Sequence, residues 1–147
     1  MIDRIDAGLD PIVREIARRF PFCTVLQREW DVGVVLSTTI LAELGDTQGF
    51  EFRQAVRFAG LSLTVHASDA KPARVTSSGQ GSPILHWALY KATGGAWCVG
   101  SPDREYYLEV KERLGPMSAR LSVARRMLRW KCHELAEAGD SAFAKDA

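Results

Sequence analysis

The chain has 147 residues, one domain's worth, with 19 Lys and Arg against 18 Asp and Glu for a net charge of +1. That balance excludes a histone-like polycation and an acidic disordered chain, and 46% hydrophobic with 25% charged residues is an ordinary globular composition. No run approaches the roughly 18 apolar residues that span a bilayer. The acidic start MIDRIDAGLD lacks the apolar core of a signal peptide, so a cytoplasmic chain with no membrane partner is expected.

Asp10 and Pro11 read as an N-cap and first-turn proline. Ile12, Ile16 and Phe20, beside Val13 and Ala17, then mark one face of a helix that Pro21 ends. Residues 22–28 form a short apolar run, either strand or helical turn. Gly33 sits in a turn before a helix over 34–44, whose candidates for burial are Val34, Leu36, Ile40, Leu41 and Leu44. Its β-branched residues lower intrinsic propensity, so burial must support it. Gly45-Asp46 stops it. A second helix over 51–59, with Phe52, Ala55, Val56 and Ala59 as its apolar residues, closes at Gly60. Together the two suggest a helix-hairpin-helix-like element.

Residues 61–83 are rich in Ser, Thr, Gly and Pro and only weakly periodic, which predicts a long loop or a short irregular hairpin. Ser82-Pro83 caps a helix with Ile84, Leu85, Ala88 and Leu89 inward, interrupted at Gly94-Gly95. Ser101-Pro102-Asp103 starts another, which Gly115-Pro116 stops. The longest helical pattern follows from Ser118. Leu121, Ala124, Leu128 and Leu135 form its apolar stripe, with Arg125, Arg126, Arg129 and Lys131 mostly on the other side. The expected fold is a small, mainly all-α domain with one long Ser/Gly/Pro-containing loop.

Charge is segregated along this framework. Residues 111–133 hold seven Lys or Arg and one Glu, whereas residues 1–50 hold eight Asp or Glu and five Arg. A basic helix of this kind binds backbone phosphates or simply faces water. The three cysteines, Cys23, Cys98 and Cys132, and three histidines, His66, His86 and His133, lack zinc-site spacing, so no metal site is expected. SSGQG lacks the GxxxxGK[ST] arrangement of a nucleotide phosphate loop. The serines of the loop are turn formers or, if activated, a nucleophile. Lys71, Arg74 and the arginine helix are the nearest sources of positive field. Gly33 could present helix N-terminal amides to a phosphate.

LSTTILAELGDTQGFEFRQAVRFAGLSLTVHASD followed by GQGSPILHWALYKA resembles the C-terminal transposase domain of a bacterial insertion-sequence family. Its members join an N-terminal DEDD, RuvC-like domain to a helical domain with a nucleophilic serine and act as bridge-RNA-guided recombinases. The resemblance runs from about residue 24 to residue 143 and rests on LAELGD, FAGL and GSPILHWALY in that order. It implies that Ser68, in Ala67-Ser68-Asp69, is the catalytic serine, where the family has Ser-Ser-Gly. It places Trp30-Asp31-Val32-Gly33 where the family has Pro-Gly-Val-Gly, and His86 where the family has Arg. It also implies magnesium, held by carboxylates of the DEDD domain rather than by this chain.

Residues 1–21 are thus expected to form an N-terminal helix, the remnant of a linker helix, and 22–147 a transposase C-terminal-like domain. The expected function is DNA recombination by serine attack on a phosphodiester in intact relatives, with this chain a truncated form. The alternative is a non-catalytic helical nucleic-acid-binding or oligomerisation domain. Ser68 is the candidate nucleophile. Lys71, Arg74, Arg125, Arg126, Arg129 and Gly33 are the candidate nucleic-acid contacts. DNA is the expected partner, with a guide RNA and a homo-oligomeric assembly implied by the resemblance.

Overall fold

The computed structural model describes residues 2–28, 32–45, 51–68, 71–77 and 80–139, with side chains described over 10–28, 32–45, 51–62 and 80–139. In chain order the elements are α1 (Ile2–Arg19), α2 (Pro21–Leu26), α3 (Val34–Gly45), α4 (Phe52–Phe58), β1 (Leu63–Ser68), β2 (Lys71–Ser77), α5 (Pro83–Ala92), α6 (Arg104–Leu114) and α7 (Pro116–Ala138). The domain is helical, as expected, and Leu63–Ser68 and Lys71–Ser77 pair as a two-stranded antiparallel hairpin, one of the two readings of the Ser/Gly/Pro-containing segment. Thr, Val and Leu alternate through LSLTV, a pattern that suits a pleated ribbon better than the Ser and Gly content alone suggests.

The main core gathers Cys23 and Leu26 of α2, Ile40 and Leu44 of α3, Ala55 of α4, Leu61, Leu85 and Leu89 of α5, and Ala124 and Leu128 of α7. Each fully buried leucine contributes about 1.5–3 kcal/mol relative to exposure. A smaller cluster of Ala96, Tyr107, Val110, Ala119 and Val123 sits where α6 packs on α7. Helix α7 serves both, because Ala119 and Val123 continue at four-residue steps to Met127, beside Ala124 and Leu128 on the same side of the helix.

Several boundaries and faces differ from the sequence reading. Helix α1 begins well before Asp10, so Pro11 lies inside it rather than at its first turn. Asp10 instead pairs with Arg14 at 3.2 Å, one turn on. Ile12 and Ile16 are exposed, while Ala17 is buried. Residues 21–26 are helical, resolving strand against helix. Ile84 is exposed rather than inward, and the apolar Phe52 of α4 is exposed as well. Asp103, not Ser101, occupies the N-cap of α6, and Gly115 ends α6 and precedes α7, with Pro116 in the first turn of α7. Proline lacks an N–H that the first turn would leave unpaired, so the residue read as a stop is also a start.

Lys131 is the largest reversal. Read as part of the polar side of α7, it is fully buried and donates through Nζ to Glu134 Oε2 at 3.1 Å. Position 131 follows Ala124, Met127 and Leu128 by seven, four and three residues, which is the core face of the helix.

The expected helix-hairpin-helix is not what these elements build. Helix α3 packs on α1, α2 and α5, whereas α4 packs on α7. The connecting residues 46–50 lie outside the described residues. Among the described residues no helix is long and apolar enough to cross a membrane.

Candidate nucleic-acid interface

Two features that the sequence kept apart meet beside α7. The first is the root of the hairpin. Gly60 has φ +65° and Gly81 φ +123°, backbone conformations open chiefly to glycine. A Cβ on Gly81 would be driven into the Phe58 carbonyl, and one on Gly60 would lie 3.1 Å from the Gln80 carbonyl oxygen. This close approach lets the Ser82 amide donate to Phe58 O at 2.6 Å and tie the two feet of the hairpin together.

Ser82 then does two further things. Its Oγ accepts from the Leu85 amide at 3.1 Å as the N-cap of α5, and donates to Glu43 Oε2 of α3 at 2.5 Å. His86, one turn into α5, has Nδ1 3.1 Å from the Ala59 carbonyl oxygen. LAELGD supplies Glu43, FAGL supplies residues 58–61, and GSPILH supplies Gly81, Ser82 and His86. The three stretches thus form one knot that fixes where the hairpin leaves the helical body.

The second feature is a cleft of about 590 Å³ lined by Phe52, Tyr106, Ser122, Arg125, Arg126, Arg129, Trp130 and His133. Six of these lie on α7 at spacings of three to four residues, the stripe next to its core face. Arg129 stands 5.8 Å over the Phe52 ring, and Arg126 stands 5.1 Å over the Tyr106 ring. Arg126 Nε is also 3.6 Å from Asp103 Oδ1 at the start of α6.

Arg125 joins the two features. Its Nε donates to the Leu61 carbonyl at 2.6 Å, two residues before β1. Burial pulls its guanidinium below the usual arginine range, with Tyr106 acting the other way. Its Nη2 is buried with no hydrogen-bond partner among the described residues.

The candidate residues therefore separate into groups. Arg125, Arg126 and Arg129 line one cleft, although Arg125 is committed to the hairpin root and Arg126 is partly neutralised by Asp103. Ser68, Lys71 and Arg74 all lie on the hairpin. Ser68 is opposite Lys71 and Arg74 is opposite His66 in its register, with an irregularity between His66 and Ser68. Their side chains lie outside the described ones. Gly33 precedes α3, where its carbonyl accepts from the Ser37 amide at 2.9 Å, and it does not line the cleft. Asp31 and Asp69 lie outside the described residues.

Phe52, Tyr106, Trp130 and His133 were missing from the sequence-derived site. Phe52 and Tyr106 reach the cleft only through the packing of α4 and α6 on α7. Trp130 and His133 had a legible signal, since they continue the arginine stripe at helical spacing. Among the described residues there is no group of three or more His, Cys, Asp and Glu able to hold a metal ion.

Residues 23–108 match the family model described as Transposase IS116/IS110/IS902 family. No curated protein matches the chain. The matched segment runs from α2 into α6 and contains every residue of the glycine knot, together with the hairpin that it roots. That segment covers more than half of the sequence, and the protein belongs to the IS116/IS110/IS902 transposase family.

Proposed function

We propose that this chain is a DNA-recombination domain of a transposase, with the α7 cleft as its phosphate-binding face. The observation that supports this is the convergence of Arg125, Arg126 and Arg129 with three aromatic rings in one cleft, tied by Arg125 to the root of the hairpin bearing Ser68. Arginine forks suit phosphate oxygens, and neutralising several phosphates releases counterions.

In an assembly that includes the carboxylate domain, Ser68 is the nucleophile. Its Oγ attacks a DNA phosphorus, a P–O–Ser ester forms, and the displaced sugar oxygen leaves with the strand end and takes up a proton. Lys71 and Arg74, on the same hairpin, offset the charge on the non-bridging oxygens. The carboxylate domain supplies metal-ion stabilisation when present.

The test is incubation of the chain with end-labelled donor DNA and magnesium, with and without a supplied carboxylate domain. The expected result is a covalent adduct in the reconstituted reaction that Ser68→Ala abolishes. No adduct in either condition sinks the catalytic role of this chain. Salt-dependent binding without adduct supports the alternative of a non-catalytic nucleic-acid-binding domain. One sequence feature favours that alternative: Asp69 follows Ser68 directly and adds a second negative charge near an anionic substrate.

A further inference from the structure

The cleft holds more aromatic surface than phosphate binding uses. Trp130 is 60% exposed and Phe52 is 37% exposed, although both lie on helices that pack against a core. Phe52 and Tyr106 each carry a guanidinium over the ring. Among the described residues no ring stacks on Trp130. The cleft volume of about 590 Å³ falls within the range of sites that enclose a small flat ligand.

A nucleobase is such a ligand. Its π-face stacks on aromatic side chains with little regard to base identity, and its own phosphate meets arginine. In a duplex the base faces are already covered by neighbouring bases, so the rings of the cleft would have nothing to contribute. An unpaired base offers those faces. We infer that the cleft between α4, α6 and α7 is a stacking subsite for an unpaired base of a DNA strand, with Trp130 as its platform and Arg126 and Arg129 on the adjoining phosphates. This rests on the reading of α7 as the DNA-binding face.

The experiment titrates the full chain into three probes: an oligothymidylate carrying one 2-aminopurine, the same strand with abasic spacers, and a blunt duplex. The wild-type chain should quench 2-aminopurine and bind the base-bearing strand about tenfold more tightly than the abasic one. Trp130→Ala should remove both the quenching and the preference for the base-bearing strand. Trp130→Phe should retain most of each. Equal affinity for the abasic and base-bearing strands overturns the subsite, as does quenching that survives Trp130→Ala. Insensitivity of all three probes to Arg126→Ala with Arg129→Ala overturns instead the underlying reading of α7. A thermal melt of each variant separates lost binding from lost folding.

Discussion

Arg125 on α7 donates to the backbone carbonyl of Leu61, 64 positions earlier in the chain, at 2.6 Å. Leu61 is itself fully buried and its amide donates to Val56 O at 2.9 Å, so the strut is anchored at both ends. Arg125 is thus a structural residue as well as a cationic one. Removing its side chain leaves a buried carbonyl without its charged donor, which costs about 1.5–3 kcal/mol. Arg125→Ala should lower stability by about that amount in urea melts and raise amide exchange across residues 61–77. Unchanged exchange there would show that the strut does not hold the hairpin. Arg125→Lys should fall between the two, because lysine lacks the planar fork.

The glycine knot makes a sharper demand. Gly81→Ala combines a left-handed backbone with a collision at the Phe58 carbonyl, and should cost about 3 kcal/mol or more, enough to lower the melting temperature by many degrees. Gly33→Ala meets nothing within 4 Å and should cost under about 1 kcal/mol. Comparable losses in the two variants would refute the close approach of Gly81 to Phe58.

Ser82 should behave as a joint rather than a surface polar residue. Ser82→Ala removes the cap on Leu85 N and the contact with Glu43, and should destabilise by about 1–2 kcal/mol. Glu43→Gln keeps an acceptor for the hydroxyl and should cost less. Chemical denaturation of both variants checks the order.

Asp103 restrains Arg126 at the mouth of the cleft. Asp103→Asn should release that cation toward DNA. Its stability cost should be below about 1 kcal/mol, because the Arg126 side chain is 45% exposed and the contact is long at 3.6 Å. Affinity for DNA at low salt should rise about two- to fivefold, and the slope of log affinity against log salt should steepen by up to about one. Weaker or unchanged binding, measured by fluorescence anisotropy, counts against Arg126 as a phosphate contact.

The cysteines predict an alkaline weakness. Burial raises the thiol pKa of Cys23, offset in part by Thr38 and Ser37, and burial likewise raises that of Cys132. Both native thiols keep their protons where the unfolded chain has begun to lose them. Stability is therefore unaffected below the unfolded thiol range, near pH 8.5, and falls as pH rises above it. Urea midpoints measured between about pH 7.5 and about pH 9.5 should decline, and the decline should shrink when both cysteines are replaced by Ala. Iodoacetamide under native conditions should modify exposed Cys98 first.

Helix periodicity was legible in α3, α5, α6 and α7 because each has a repeating apolar face. Gly60 and the Ser82-Pro83 cap also announced their turns. Lys131 and Ile84 were misread for one physical reason. A side chain's face depends on what packs there, and a lysine on the core stripe or an isoleucine facing outward reverses the expectation from polarity. The hairpin stood beside a loop as an open reading, because the Ser, Thr, Gly and Pro content of the segment suits turns and its periodicity is weak.

By itself the sequence determined that this is a mainly helical chain with segregated charge, and it carried the ordered stretches of a transposase family. Those properties follow from local periodicity and from residues read one after another. Only the tertiary structure decided that LAELGD, FAGL and GSPILH close into one knot, and that Arg125 divides its role between that knot and the cleft. It also decided that Phe52 and Tyr106 complete the cleft beside Trp130. The reason is that hydrogen bonds from Ser82 to Glu43 and from Arg125 to Leu61 join residues dozens of positions apart, and only the packing of α3, α4, α5 and α7 brings them within reach.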